Sequence, residues 1–199
     1  MLDVISIPDE VQQIGFCTDI HSHLGNLLKM VKNHPDVKHW FCAGDVVDMF
    51  KQLHDNQPAL RAMKRLGIPS VTGNHDHAVK KRDLKRLDDE AKKYLIEMPF
   101  KICIIFNAIR ISLYHATPTS RDYFISSRSK EQTFLSLFDQ DEADIFILGH
   151  THRAYQKAYQ GTQFINPGAL GVPEEVAPSY CILNRDGNNE IIYLNAQSD

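Results

Sequence analysis

Five of the ten histidines in this chain follow directly on short apolar runs, in the company of aspartate and asparagine. Gln13-Ile14-Gly15-Phe16-Cys17 leads to Asp19 and His21, Trp40-Phe41-Cys42 to Asp45, and Ile68-Pro69-Ser70-Val71 to Asn74 and His75. Ile109 to Tyr114 runs into His115, and Ile145 to Leu148 into His150 and His152. The carboxyl ends of strands are where α/β sheets bind ligands. In extended backbone, i and i+2 point the same way, so Asp19/His21 and His150/His152 are each expected to aim two donors at one point. Gly44-Asp45, Gly73-Asn74 and Gly149-His150 repeat one pattern, a glycine that lets the backbone turn sharply or approach closely before a donor residue.

The seven donors Asp19, His21, Asp45, Asn74, His115, His150 and His152 exceed what one tetrahedral zinc requires. They suit two divalent metal ions sharing a carboxylate, with positions left for substrate oxygen and water. Nitrogen and oxygen donors without thiolate favour manganese, iron, nickel, cobalt or zinc over soft copper, and argue against calcium. Such a pair can clamp the attacking and leaving oxygens of a phosphoryl displacement, so hydrolysis of a phosphate ester is the expected reaction.

The elements that must position these residues are legible as alternating patterns. Leu24, Leu27, Leu28 and Val31 recur at helical spacing and Pro35 ends that helix. A second helix is predicted around Ala59 to Leu66, stopped at Gly67, and another through Leu84, Leu87, Tyr94 and Leu95 up to Met98-Pro99. Ile102 to Phe106 and Ile109 to Tyr114 read as a hairpin-like pair, and Phe134, Leu135 and Phe138 as a helix. Further strands are predicted at Ile145 to Leu148, Gln163 to Ile165, Tyr180 to Leu183 and Ile191 to Leu194. Alternation first and mostly strands later predict an α/β fold layered around two packed sheets, in one domain over 1–199.

Composition narrows the partners. A net charge of −3 and a pI near 6.3 provide no field to attract nucleic acid or anionic membrane. The basic stretch Lys80-Lys81-Arg82, Lys85-Arg86 is followed at once by Asp88-Asp89-Glu90, the pattern of a solvated face. Cys17, Cys42, Cys103 and Cys181 form no C-x-x-C pair and sit in apolar runs, as buried free thiols do. No apolar run is long enough to span a bilayer, and Met1 to Glu10 is polar and acidic, so a cytoplasmic protein with a small substrate is expected. A homo-oligomer is compatible with this size.

Asp19-Ile20-His21, Gly44-Asp45-Val46-Val47-Asp48, Gly73-Asn74-His75-Asp76 and Gly149-His150-Thr151-His152, with His115 between the last two, resemble the calcineurin-like metallophosphoesterases from about Val11 to Leu194. His115-Ala116-Thr117-Pro118, Asn166-Pro167-Gly168-Ala169-Leu170-Gly171 and Ala177-Pro178-Ser179-Tyr180 resemble their small bacterial and archaeal phosphodiesterase branch. The resemblance implies a four-layer αββα sandwich, two mixed β-sheets flanked by helices. It implies Asp19, His21 and His152 on a first metal, Asn74, His115 and His150 on a second, and Asp45 bridging them. It places His75 where a group contacts the phosphate and protonates the leaving oxygen, with a hydroxide between the metals as nucleophile. Asp48 and Asp76 are expected to orient loops.

Two departures from the family stand out. Ser22-His23 takes the place of the usual Gly-Asn, and Pro173 is followed by Glu174-Glu175, which argues against a phosphate contact there. His34, His39, His54 and His77 are expected to be exposed or capping residues, and Arg121 or Arg128 to reach a phosphate oxygen. The alternative is a non-catalytic protein-interaction scaffold on the same fold that has lost metal ligands. All seven ligand positions and His75 are filled here, which favours the enzyme.

Overall fold

A computed structural model describes residues 4–171 and 177–194. Pro173, Glu174 and Glu175 therefore lie outside the described residues. In chain order the elements are β1 (Val4–Ser6), β2 (Gln13–Cys17), α1 (Leu24–Asn33), β3 (Trp40–Cys42), α2 (Leu53–Arg65), α3 (Asn74–Arg82), α4 (Asp89–Glu97), β4 (Ile102–Phe106) and β5 (Ile109–Leu113). There follow α5 (Glu131–Leu135), β6 (Ile145–Ile147), β7 (Tyr155–Tyr159), β8 (Thr162–Asn166), β9 (Ser179–Asn184) and β10 (Asn189–Tyr193).

Two mixed sheets result. One has the order β1-β4-β5-β6-β8-β7, with parallel pairing at β1/β4, β5/β6 and β6/β8. The other has the order β10-β9-β2-β3, parallel only at β2/β3. The alternation of side chains along each strand assigns the layers. Ile14, Phe16, Phe41, Cys181 and Leu183 of the smaller sheet meet Ile104, Phe106, Ile111, Ile145, Ile147 and Ile165 of the larger one in a shared core. On the outer face of the smaller sheet, Cys17, Trp40, Cys42, Tyr180 and Ile182 pack on Leu27 and Met30 of α1, Leu60 and Met63 of α2 and Leu95 of α4. On the far side, Phe146, Leu148 and Phe164 pack on Phe134 of α5 and on Ile125 and Leu137. This is the αββα order, although the fourth layer is one short helix and turns.

Local chemistry explains where elements depart from the sequence pattern. Of the predicted face of α1, Leu28 is exposed, and Met30 is buried instead. Ile68 to Val71 forms no strand but a single bridge from Ser70 to Cys42, because Pro69 has no N–H to extend a ladder. The helix expected across Leu84 to Leu95 is a 3₁₀ turn at Leu84–Arg86 followed by α4, whose start is capped by the Asp88 side chain accepting from the Ala91 amide at 2.9 Å. Helix α2 begins at Leu53, upstream of its apolar face, and buries Asn56 there. Asn56 accepts from Ser22 Oγ and from the Asp48 amide, and donates to the Asp48 carbonyl at 3.0 Å, so α2 fixes the loop that carries Asp45. All four cysteines are buried and free.

Candidate metal centre

The seven predicted donors gather at one end of the two sheets, but not by the expected backbone geometry. Asp19, His21, Asp45, His150 and His152 all have positive φ, from 44° at His21 to 68° at His150. L-residues rarely adopt that region, and each such residue costs on the order of 1–3 kcal/mol unless its surroundings enforce it. Backbone hydrogen bonds between loops do so here. The Asp19 amide donates to the Gly44 carbonyl at 2.9 Å and the His21 amide to the Asp45 carbonyl at 3.0 Å. The His150 amide donates to Asp19 Oδ2 at 2.9 Å, and Asp76, fully buried, accepts from the amides of Asp45, Val47 and Gly73 at 2.8–3.1 Å. Asp76 thus orients a loop, and Gly44, with φ +93°, makes the turn into Asp45.

This conformation corrects the i, i+2 expectation for His150/His152. Asp19 and His21 share a point with His152, whereas His150 turns away to Asp45 and His115; within each of these two sets, the donor atoms lie within 4.8 Å of one another. In the first, His21 Nε2 lies 3.0 Å from His152 Nε2, and Asp19 Oδ1 lies 3.2 Å from His152 Nε2 and 3.7 Å from His21 Nε2. In the second, His115 Nε2 lies 2.9 Å from Asn74 Oδ1, 3.2 Å from His150 Nδ1 and 3.3 Å from Asp45 Oδ2. Asn74 Oδ1 is also 3.1 Å from His150 Nδ1.

Second partners orient these rings. His115 Nδ1 donates to the Ala43 carbonyl at 2.8 Å, and His150 Nε2 to the Asp122 carbonyl at 3.2 Å. Each arrangement turns the other ring nitrogen toward the cluster, where a metal can take its lone pair in place of a proton.

The electrostatics ask for cations. Burial works to raise the carboxyl pKa values of Asp19 and Asp45, yet both are lowered, Asp19 by His152 and His21 and Asp45 by His115. Burial likewise opposes charge on His115 and His21, but Asp45 pushes His115 up to about 9 and Asp19 raises His21. His150 moves down, through burial and the charge of His115. Asp19 Oδ2 accepts from Thr18 Oγ1 at 2.7 Å, but Oδ1 is buried and has no hydrogen-bond partner. An orphaned carboxylate oxygen beside converging ring nitrogens fits a divalent ion of the borderline class, which replaces protons on these ligands.

His75 points elsewhere. Its Nδ1 accepts from the Met49 amide at 3.1 Å and lies 3.5 Å from Asp48 Oδ1, and its ring is 4.6 Å from that of His21 and 5.5 Å from that of Phe50. Burial moves its pKa down. With Nδ1 accepting, the ring hydrogen is on Nε2. His21, Asp48 and His75 form a third close set, which the sequence did not single out. His23, at the N-terminus of α1, joins His75, His152 and the 79% exposed Phe50 in lining a groove of about 350 Å³. Of the histidines expected to be peripheral, His34 is bonded to Tyr180 Oη at 2.6 Å, and His77 lines a cavity beside Asn74. Arg121 lines that cavity too.

Comparison with known proteins identifies the fold and the family. A probable metallophosphoesterase of Mycoplasma pneumoniae is 37% identical over 59 residues, 27% of this chain and 37% of that protein, so only about a third of the relative's length is matched. A metallophosphoesterase from Sphaerobacter thermophilus superposes with a TM-score of 0.74 at 20% identity, over 92% of this chain and 86% of that one. A hypothetical protein from Pyrococcus horikoshii OT3 superposes with a TM-score of 0.78 at 13% identity, over 92% and 87%. At such identities the two structures speak for the fold. The family model of the calcineurin-like phosphoesterase superfamily domain matches residues 13–188, a span that carries every donor described above, and the chain belongs to that superfamily.

Proposed function

We propose that this protein is a phosphoesterase that works with two divalent metal ions, taking a small phosphodiester or phosphomonoester in a cytoplasmic setting. In this reading Asp19, His21 and His152 hold one ion, Asn74, His115 and His150 the other, and Asp45 is shared. The observation that carries it is the convergence of imidazole ring nitrogens on two buried carboxylates, one of whose oxygens, Asp19 Oδ1, has no hydrogen-bond partner. When bound, such ions supply Lewis acidity and a hydroxide nucleophile near neutral pH.

The protein's own groups do the rest. His115 and His150 are held in one tautomer each by Ala43 and Asp122, so their donor nitrogens need no reorganisation. In this reading His75 offers its Nε2–H to the leaving oxygen. When the Met49 amide releases Nδ1, Asp48 Oδ1 is the group placed to balance a second ring proton, which makes the ring an acid.

The test is reconstitution of the full chain with manganese, iron, nickel, cobalt or zinc, followed by elemental analysis and a phosphoester panel with and without chelator. Two ions per chain and chelator-sensitive hydrolysis are expected. One ion in a fully active protein sinks the two-ion reading. A loaded protein silent on the panel that binds a protein partner tightly hands the case to a scaffold.

A further inference from the structure

A cavity of about 400 Å³ opens beside Asn74, between α3 and the turn that follows His115. Helix α3 contributes Asn74, His77 and Lys81, spaced at i, i+3 and i+7 and so on one face. The turn contributes Ser120 and Arg121, with Asp122 as the one carboxylate of the lining. The turn is built rather than loose. Ser120 Oγ accepts from the amides of Asp122 and Tyr123, each at 3.0 Å, and the Thr117 amide donates to the Ser120 carbonyl at 3.0 Å. The Asp122 carbonyl accepts from His150 Nε2, which ties the cavity wall to the metal centre.

Arg121 is held in place but not neutralised. Its guanidinium lies 4.5 Å from the centroid of the Phe100 ring, and its buried Nε has no hydrogen-bond partner. Neither it nor Lys81 forms an ion pair with a described carboxylate. Burial first, then the nearby charges of Lys81 and Arg121, lower the pKa of His77, against the pull of Asp122. An arginine presented as a flat fork and an ammonium across from it match the oxygens of a phosphoryl group. The metal centre leaves these two cations unused, and Asn74 is common to both places.

We propose that this cavity is a subsite for a second phosphoryl group, so that the preferred substrate carries another phosphate beyond the one hydrolysed. The proposal rests on the phosphoesterase reading and names its substrate class. The second phosphate can be joined to the first by an anhydride or sit on a separate hydroxyl, and the experiment separates these.

Three substrates are compared on the metal-loaded protein: a bis(nitrophenyl) phosphate, a nucleoside diphosphate and a sugar bisphosphate. The ratio of kcat/KM for a phosphate-bearing substrate over the aryl diester is expected to fall by about tenfold or more in Lys81→Gln and in Arg121→Gln, since each removes one charge-assisted contact. Whichever of the two substrates shows the fall identifies the linkage. Equal losses on all three, or a ratio that does not move, overturn the subsite.

A second readout needs no turnover. Chelator-treated full-length protein is titrated with inorganic pyrophosphate by calorimetry. Binding is expected, weakened by salt and at least about tenfold weaker in either variant. Absence of binding, or binding unaffected by Lys81→Gln, an exposed change on α3 that leaves the fold intact, overturns the subsite. If nothing on a broad panel is hydrolysed, the phosphoesterase reading fails, and the titration still decides the cavity.

Discussion

Replacing His75 by glutamine separates two jobs that one imidazole can do. The Gln amide can still donate a hydrogen bond to a phosphoryl oxygen, but it cannot deliver a proton. A neutral hydrogen bond is worth about 0.5–1.5 kcal/mol net, whereas general acids contribute about 10²–10⁴-fold, or roughly 2.7–5.4 kcal/mol at 1.36 kcal/mol per decade. A nitrophenolate leaves without a proton and an alkoxide does not. So His75→Gln is expected to lose at most about tenfold on a nitrophenyl ester and about 10²–10⁴-fold on an alkyl or nucleoside ester. Metal content, measured in parallel, is expected to be unchanged, since His75 lies in neither donor set with an orphaned or shared carboxylate oxygen. Equal losses on both esters would refute the acid role and leave Nε2–H as a phosphate contact with Nδ1 permanently engaged by the Met49 amide. Loss of metal would refute the assignment of His75 altogether.

Three further outcomes are expected. Asp45→Asn removes a charge from a carboxylate whose Oδ2 faces His115 and whose Oδ1 accepts from the His75 amide. Ion content by elemental analysis and activity should both collapse, by more than the 10–100-fold typical of outer partners. Gly149→Ala places a methyl 2.1 Å from Thr18 Oγ1 and 3.0 Å from Asp19 Oδ2. It should cost about 1–3 kcal/mol, a melting point lowered by roughly 3–10 °C in calorimetry, with weaker metal binding. Asp141 is paired with Lys101 at 2.6 Å and accepts from Tyr114 Oη at 3.0 Å. Burial opposes its charge, but these partners win and depress its pKa below the usual 3.8. The unfolded chain then binds the proton more readily, so this stabilisation is present above pH 4 and is lost as the pH falls further. Thermal melts of Asp141→Asn should lie below wild type at pH 7 and approach it at low pH; a constant gap would contradict this.

The buried strands were readable because each is a short apolar run, and the donors because they follow such runs. The β7 edge strand Tyr155–Tyr159 carries Gln156 and Lys157, so it has no apolar run to reveal it, and it borrows its register from β8. Helix α3 went unread because Asn-His-Asp-His-Ala-Val-Lys-Lys-Arg has no apolar face; only Asp76 and Val79 are buried, and Asp76 is held by amides of other loops. The split of His150 from His152 was invisible for the same kind of reason. Periodicity assumes a regular backbone, and the left-handed residues that break it are imposed by hydrogen bonds between segments far apart in sequence. The roles of Asn56 and Asp48 are likewise products of tertiary contact.

The order of the smaller sheet has a consequence for synthesis. Every candidate donor lies between residues 19 and 152, yet β2, which leads into Asp19, is flanked by β9 at Ser179–Asn184. The backbone of Asp19 is itself gripped from downstream, its carbonyl accepting from the Gly171 amide at 2.8 Å, and the Thr18 carbonyl accepts from Leu170 at 3.1 Å. A nascent chain therefore has all seven candidate donors synthesised before the segment that shapes their surroundings. A polypeptide stopped near residue 165 would contain all seven candidate donors and lack both β9 and the Leu170 and Gly171 amides that hold Thr18 and Asp19. If these residues bind metal as proposed, loading would report that β9 has already slotted in beside β2.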